Sequence, residues 1–243
     1  MSFHDTVRER FADWNYCHPL ILAAHIRAMK PDVVVEVGSY RGFGACHMAH
    51  ALQENSHGKL YCIDNWTLTE HVSRYGDPRA HFEEGIRACG VDAFIEITQG
   101  ESHDPAMWPS KVDVCYVDAW HSFTSAMKDF LMAHERGARL IALDDTENCV
   151  GPRMVVDALR RDPKMAGCYD ILEIHSDNGM VMLMRREVRR PVTFSQEIPY
   201  PCVGIDLRPL TLGQQAEHFK EAAIITKLDY SDIATRTEHD TIL

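Results

Sequence analysis

The stretch that decides the fold runs from Val33 to Gly44 and reads VVVEVGSYRGFG. Its β-branched residues predict a strand that is buried on both faces. The strand contains the acid Glu36 and then breaks into a turn with three glycines, after which an apolar helix pattern runs from Ala45 to Leu52. This strand–turn–helix unit predicts the crossover at which doubly wound α/β folds bind a nucleotide-like ligand.

Strand and helix patterns alternate on either side of this unit. Strands are predicted at 32–38, 59–64, 94–98, 112–118 and 139–143, with helices near 43–54, 78–89, 122–136 and 152–161. A last strand pair, 169–175 and 180–185, is separated by Ser176-Asp177-Asn178-Gly179, and the Asn-Gly step is a strong hairpin signal. The predicted fold class is therefore α/β, a Rossmann-like, doubly wound and mostly parallel sheet with an antiparallel C-terminal β-hairpin.

The two ends of the chain lie outside this alternation. Residues 3–29 are predicted to be helical, and a second helix opens at His18-Pro19 with an apolar stripe of Leu20, Ile21, Ala24 and Ile26. Residues 187–243 contain four prolines in their first half and a helix pattern over about 213–228. We predict one domain over residues 1–186, with its core at 31–186, and a C-terminal arm over 187–243.

Composition excludes several classes of protein. The 243 residues include 36 acidic and 25 basic side chains, for a formal net charge of −11, which argues against general nucleic-acid binding. A transmembrane helix is not expected because no apolar stretch approaches ~20 residues. The segment Met1 to Arg10 is polar and mixed in charge, so we do not expect it to be a secretory signal. Eight cysteines without a C-x-x-C pair favour buried thiols in a reducing cytoplasm over disulfides or zinc ligands.

The spacing of the glycine turn narrows the choice of ligand. Gly38-x-x-x-Gly42-x-Gly44 departs from the G-x-G-x-x-G fingerprint of dinucleotide-binding proteins. Glu36 would repel a pyrophosphate but suits a ligand with a positive group, such as the ammonium of S-adenosylmethionine. Asp64, at the end of the second strand, can accept hydrogen bonds from both ribose hydroxyls, as in NAD enzymes. The simpler alternatives are a solvent-exposed Glu36 and an Asp64 that caps the following loop.

Carboxylates also follow the fourth and fifth strands of the predicted sheet. Asp118 ends one of them and the pair Asp144-Asp145 ends the other. Because neighbouring parallel strands end at the same edge, we expect these acids within a few ångströms of one another. Such close like charges raise each other's pKa unless a cation joins them, and hard oxygen ligands suit Mg²⁺, with Mn²⁺ or Ca²⁺ as substitutes. Helix capping or exposure to water is the alternative for each acid.

These motifs resemble those of the metal-dependent class I O-methyltransferases over roughly residues 18–186. The acid-x-Gly-x-x-x-Gly turn resembles motif I of that class, and Ile63-Asp64-Asn65-Trp66 resembles the acid-x-Trp ending of its second strand. The most similar group contains macrolide sugar O-methyltransferases and cephalosporin hydroxylase-like proteins, and catechol O-methyltransferases are more distant relatives. The turn, with Tyr40, Arg41 and Phe43, is bulkier than a minimal motif I, and no substrate signature is recognisable.

The resemblance implies roles for individual residues. Asp118, Asp144 and Asp145 would bind Mg²⁺, and His121, three residues after the first ligand, would be the catalytic general base. A histidine that bonds to backbone at a helix start is the simpler alternative for His121. The loop after the third strand would line the adenine pocket. The implied cofactor contacts are Glu36, Gly38, Ser39, Tyr40, Gly42, Asp64, Asn65, Trp66, Gly100, Glu101, Ser102 and Asp118.

Together these features predict a cytoplasmic enzyme that uses S-adenosylmethionine and Mg²⁺ to methylate a hydroxyl of a small molecule. The expected acceptor has adjacent oxygens, as in a sugar, catechol or polyketide of a bacterial natural-product or antibiotic pathway. We expect a homo-oligomer without nucleic-acid or membrane partners, and a lid formed by the loop 65–77. The alternatives are a catalytically silent S-adenosylmethionine-binding helper and an NAD-dependent oxidoreductase, which the glycine spacing and the acid cluster disfavour.

Overall fold

The computed structural model describes residues 2–14, 16–67 and 76–186. The predictions for the arm 187–243 and for most of the loop 65–77 lie outside these residues. The helices are α1 (Phe3–Arg10), α2 (His18–Met29), α3 (Phe43–Asn55), α4 (Pro78–Ala88), α5 (Phe123–Glu135), α6 (Val150–Arg161) and α7 (Pro163–Ala166). The strands are β1 (Val33–Val37), β2 (Lys59–Asp64), β3 (Ile95–Gln99), β4 (Val114–Val117), β5 (Leu140–Leu143), β6 (Tyr169–Ile174) and β7 (Met180–Arg185). None of the described helices is both long and apolar enough to cross a membrane.

The described strands form one sheet in the order β3-β2-β1-β4-β5-β7-β6. Strands β1 to β5 pair in parallel, and the β6–β7 hairpin joins β5 in antiparallel orientation. The chain builds outward from β1 in one direction and then returns to place β4 on its other side. A cleft forms at such a switch point, outside the carboxyl ends of β1 and β4. The predicted fold class, including the antiparallel hairpin, is confirmed.

Helices cover both faces of this sheet. Side chains from α1 to α4 pack against Val34 and Leu60 on one face, and side chains from α5 and α6 pack against Val35 and Ile141 on the other. A strand that is covered on both faces needs apolar residues at consecutive positions. This is why β1, β4 and β5 appear in the sequence as continuous apolar runs and could be predicted as buried strands.

Five predicted strands, β1, β3, β4, β5 and β6, differ from the structure by one or two residues at an end. For the starts of β4 and β3 the structure shows the reason. Strand β4 begins at Val114, not at residue 112, because the Asp113 carboxylate accepts the amides of Asp32 and Val33 at 3.0 and 3.1 Å and ties this segment to the start of β1. Strand β3 begins one residue later than predicted because residues 92–94 form a short 3-10 turn.

The predicted apolar stripe of α2 is also wrong in part. Leu20 is 48% exposed, whereas Leu22 and Ala23 are buried together with Ile26. The helix is apolar nearly all round, so its sequence pattern does not distinguish the face that packs from the face that is exposed.

Candidate active site

The turn between β1 and α3 lies directly against the end of β4. Gly38 and Gly42 have φ angles of +86° and +91°, a backbone region that glycine adopts without strain. A Cβ atom on Gly38 would clash with the carbonyl oxygen of Asp118. The predicted cofactor turn and the first predicted metal ligand are therefore in van der Waals contact across the switch point.

Asp64 joins this turn to the loop after β2. Its carboxylate accepts the backbone amides of Tyr40 at 2.8 Å and of Trp66 at 2.7 Å. The Trp66 indole donates to the carbonyl of Tyr40 at 2.8 Å, and the Asn65 amide donates to the Glu101 carboxylate at 2.8 Å. These predicted cofactor residues are thus brought together, and Asp64 makes the loop-capping contacts that were its simpler interpretation.

The loop after β3 is held next to this group by its backbone. The Gly100 amide donates to the carbonyl of Asp64 at 3.0 Å. The Trp108 indole, 7% exposed, donates to the carbonyl of Ser102 at 2.6 Å. The predicted adenine-lining loop therefore lies beside the end of β2.

Glu36 lies beneath the glycine turn, in the interior. It is 2% exposed, and the Cys62 thiol donates to its carboxylate at 3.6 Å. Burial raises the pKa of Glu36 to about 7, although the neighbouring Ser39 and Cys62 act in the opposite direction. The interpretation of Glu36 as a solvent-exposed acid is therefore wrong. The glycine turn lies between this carboxylate and the cleft, so the charge of Glu36 would act on a ligand ammonium across the turn.

Two of the predicted metal ligands meet at the hydroxyl of Tyr116. This tyrosine on β4 is 2% exposed, and its hydroxyl donates to Asp144 and lies 3.4 Å from Asp118. Burial raises the pKa of Asp118 well above its usual range, and the charges of Asp144 and Asp145 raise it further. The carboxylates at the ends of β4 and β5 thus form the mutually repelling group that the parallel topology predicts.

Asp145 faces His121 instead of the other two acids. His121 Nε2 lies 2.7 Å from Asp145 Oδ2. Burial alone would lower the pKa of His121, but the Asp145 carboxylate and the Cys149 thiol raise it to about 10. Burial alone would raise the pKa of Asp145, and the hydrogen bond and charge of His121 lower it. The raised pKa of His121 and the lowered pKa of Asp145 are those of an ion pair at neutral pH.

Two groups of described residues each bring three potential metal-ligand atoms within 4.8 Å of one another. The three predicted Mg²⁺ ligands, Asp118, Asp144 and Asp145, do not make up either group. The groups are His121 with Asp145 and Cys149, and Cys17 with His18 and Asp177.

A histidine that sequence reasoning missed completes the acidic centre. His18, at the start of α2, is fully buried, and its Nδ1 lies 2.7 Å from Asp144 Oδ1. Its Nε2 lies 2.9 Å from the carbonyl oxygen of Ser176 in the β6–β7 turn. Burial would lower the pKa of His18, but the contacts with Asp144 raise it. No local pattern links His18 to Asp144, because about half of the chain separates them.

Comparison with known proteins agrees with this geometry. Residues 35–146, which include the glycine turn and all three acids, match the family model Methyltransf_24, described as a methyltransferase domain. This segment, a little under half of the chain, is similar to a methyltransferase domain. No curated protein matches the chain.

The chain shares its fold with several solved structures. The SAH-bound Podospora anserina methyltransferase PaMTH1 is 14% identical, with a TM-score of 0.56 over 76% of this chain and 86% of that one. The O-methyltransferase TomG from Streptomyces achromogenes, involved in tomaymycin synthesis and solved with SAM, is 15% identical, with a TM-score of 0.57 over 75% and 88%. An SAH-bound O-methyltransferase from Bacillus cereus is 14% identical, with a TM-score of 0.55 over 76% and 90%. The family-model match and the shared fold confirm the predicted resemblance to class I O-methyltransferases.

Proposed function

We propose that this chain is an S-adenosylmethionine-dependent O-methyltransferase that acts on a small molecule with adjacent oxygens. The observation that carries the proposal is the close approach of Gly38 to the backbone of Asp118. A methyl donor bound at the glycine turn would lie next to an acceptor held by the acids, and such positioning supplies much of the rate of a transfer. The likeness to cofactor-bound methyltransferases supports S-adenosylmethionine as the donor.

The residues at the ends of β4 and β5 fit Mg²⁺ in their chemistry. Asp118, Asp144 and Asp145 offer hard oxygen ligands. Burial raises the pKa of Asp118, and the charges of Asp144 and Asp145 add a repulsion that a cation would relieve. Asp144 and Asp145 are paired with His18 and His121, so the cation would compete with these two histidines for its ligands. A divalent cation held there would lower the pKa of an acceptor hydroxyl.

His121 is our candidate for the general base. Its side chain is 44% exposed, so an acceptor can reach it from the cleft. Beside the ionised Asp145 it keeps its proton at neutral pH, because its pKa is raised to about 10. It therefore becomes a base only when the Asp145 carboxylate is neutralised by another positive group. In this proposal the action of His121 depends on the cation that the acids hold.

The remaining parts of the proposal concern the setting of the enzyme. The acceptor would be a sugar, catechol or polyketide of a natural-product or antibiotic pathway. The enzyme would be a cytoplasmic homo-oligomer without nucleic-acid or membrane partners. The described cysteines are all free thiols, which is consistent with a reducing compartment.

Calorimetry with S-adenosylmethionine, followed by transfer of a labelled methyl group to catechols and vicinal diols, tests the main proposal. We expect cofactor binding, Mg²⁺-dependent transfer, and loss of the Mg²⁺ dependence in Asp144→Asn/Asp145→Asn. The exposed Asp92→Asn is the matched control. No cofactor binding would overturn the proposal. Binding with transfer that ignores Mg²⁺ would remove the metal, and binding without transfer to any acceptor would favour the silent binder.

The role of His121 needs its own test. Removal of a general base costs roughly 100-fold or more in rate, so His121→Ala should lose transfer by about this factor while it still binds the cofactor. The side chain is exposed enough for added imidazole to enter the space it leaves. Partial rescue of the rate by imidazole would support a base, and a rate that imidazole leaves unchanged would argue for a structural role.

A further inference from the structure

His121, Asp145 and Cys149 form a compact set of three different donor groups. Their potential ligand atoms lie within 4.8 Å of one another, and His121 Nε2 is 2.7 Å from Asp145 Oδ2. Imidazole, carboxylate and thiolate together are typical ligands of Zn²⁺, whereas Mg²⁺ rarely takes a thiolate.

The backbone holds these three residues in a rigid arrangement. Asp145 has a φ angle of +57°, and the Cys149 amide donates to the Asp145 carbonyl at 2.8 Å, so that one tight turn carries both side chains. The loop that carries His121 is locked against α6 because Gly151 has no side chain. A Cβ atom there would clash with the carbonyl oxygen of His121 and would lie 2.6 Å from the amide nitrogen of Phe123. Ligands on such a frame need little reorganisation to bind an ion.

The set is also open to solvent. The His121 side chain is 44% exposed and that of Asp145 is 13% exposed, while Cys149 is half-buried. Three protein ligands with access from the cleft leave a fourth position of a tetrahedral ion for water or another small ligand.

In the second donor group, the histidine is already engaged by residues outside the group. His18 is buried, with one ring nitrogen 2.7 Å from Asp144 and the other 2.9 Å from the Ser176 carbonyl oxygen. Asp177 accepts the backbone amide of Cys17 at 2.8 Å. Cys17 and Asp177 thus serve to anchor the start of α2 to the β6–β7 turn.

We propose that His121, Asp145 and Cys149 bind Zn²⁺, and that Zn²⁺ inhibits methyl transfer because it occupies the base and one of the acids. Binding releases the imidazole proton and the thiol proton to water, because the metal takes the nitrogen lone pair and the thiolate. Zn²⁺ and Mg²⁺ exclude each other, since both require Asp145. The zinc site does not depend on the proposed function, whereas the inhibition of methyl transfer does.

Co²⁺ is the probe for the site, because a cobalt–thiolate bond gives a near-ultraviolet charge-transfer band that Zn²⁺ and Mg²⁺ do not give. We expect the band to saturate at one equivalent of Co²⁺ in the full chain and to disappear on addition of Zn²⁺. Cys149→Ser should abolish it, and Cys17→Ser, from the other group, should retain it. Absence of the band in the wild type, or its persistence in Cys149→Ser, would overturn the site.

The Cys149→Ser variant is expected to fold, because Cys149 is the residue before α6 and serine is a favourable residue at that position. Circular dichroism checks this. His121→Gln provides a second variant that keeps the thiol. Competition with a chromogenic chelator should show a loss of Zn²⁺ affinity of roughly 100-fold in either variant. An unchanged affinity in both would also overturn the site.

The inhibition is measured separately, so that its failure is distinguishable from failure of the proposed function. Once methyl transfer is established, Zn²⁺ should inhibit the wild type, and Cys149→Ser should resist it relative to its own zinc-free rate. A cobalt band without inhibition would keep the site and overturn the inhibition. A cobalt band in a protein that transfers no methyl group would overturn the proposed function and leave the zinc site standing.

Discussion

At the scale of single residues, two histidine–aspartate pairs have the same nitrogen–oxygen distance but differ in their burial. His18 and Asp144 are 2.7 Å apart with side chains that are 1% and 11% exposed. His57 and Asp32 are also 2.7 Å apart, with side chains that are 50% and 61% exposed. Water screens the second pair, whereas loss of one partner from the first leaves a carboxylate in the interior without its counter-charge.

The pair His18→Gln and His57→Gln tests this difference. We expect His18→Gln to lower the free energy of unfolding by about 3 kcal/mol, because removal of one partner from a buried ion pair costs this much. His57→Gln should leave the free energy of unfolding unchanged within error. Urea unfolding at neutral pH measures both. Equal effects of the two substitutions would show that burial does not determine the strength of the His18–Asp144 contact.

A pH-dependent prediction concerns Glu36. Burial raises its pKa to about 7 from the usual 4.5, so between these values the folded chain holds a proton that the unfolded chain releases. The contribution of Glu36 to the free energy of unfolding therefore falls as the pH rises through this window. Glu36→Gln removes that contribution.

Relative to the wild type, Glu36→Gln should gain about 2 kcal/mol in free energy of unfolding between about pH 5 and about pH 8. Urea unfolding of both proteins at the two pH values measures the change. Glu96→Gln, at an exposed position of β3, is the control and should show a constant difference. A constant difference for Glu36→Gln as well would mean that Glu36 is ionised in the folded chain throughout this range.

At the scale of elements, the contact between α6 and the loop after β4 positions His121. Gly151 in α6 approaches this loop so closely that a Cβ atom would lie 2.6 Å from the amide nitrogen of Phe123. Gly167, after α7, has an ordinary φ of −82°, and its nearest neighbour would be 3.9 Å from a Cβ atom. The two glycines therefore differ in the space around them.

Gly151→Ala should lower the free energy of unfolding by about 2 kcal/mol, because backbone must shift to admit the methyl group. It should also reduce methyl transfer, since the shift displaces His121. Gly167→Ala should remain within about 0.5 kcal/mol of the wild type. Thermal or urea unfolding compares the two variants. A neutral Gly151→Ala would show that the loop and α6 can separate without cost.

The elements show which parts of this fold sequence patterns can predict. The apolar run that ends at Asp64 and the Asn178-Gly179 turn predict β2 and β7 with the bounds that the structure has. Helix α7 is too short to give a helix pattern and was not predicted, although Asp162 followed by Pro163 is a local start signal. In the structure, Asp162 accepts the amide of Lys164 at 2.8 Å. Local sequence signals therefore mark the bounds of these three elements, including the one that was not predicted.

In the candidate site, too, some residues could be predicted from the sequence and others depend on packing between distant parts of the chain. The shared edge of Asp118 and Asp144 follows from parallel topology, which sequence patterns predict. The residues that contact them could not be predicted in this way. His18 contacts Asp144 only because α2 packs against this end of the sheet, and in the sequence Tyr116 looks like one more apolar residue of β4. Cys149 likewise looks like an isolated thiol until the turn at Asp145 places it beside His121.

At the scale of the whole molecule, β7 is the last described strand and lies inside the sheet, between β5 and β6. The side chains from Met180 to Leu183 are fully buried. Each contributes roughly 2 kcal/mol of apolar burial, so together they approach the total stability of an ordinary domain. Within the described residues the sheet ends at Arg185, and the amide of Arg186 donates to the Cys168 carbonyl at 2.8 Å.

A fragment of residues 1–186 should therefore unfold cooperatively in urea and bind S-adenosylmethionine as the full chain does. A fragment of residues 1–178 lacks β7 and should not fold, because β5 and β6 lose the strand that joins them. Far-ultraviolet circular dichroism and calorimetry compare the two fragments with the full chain. If residues 1–186 fail to fold while the full chain folds, the domain boundary at 186 is wrong. Folding without cofactor binding would instead assign residues 187–243 a part in the cofactor site.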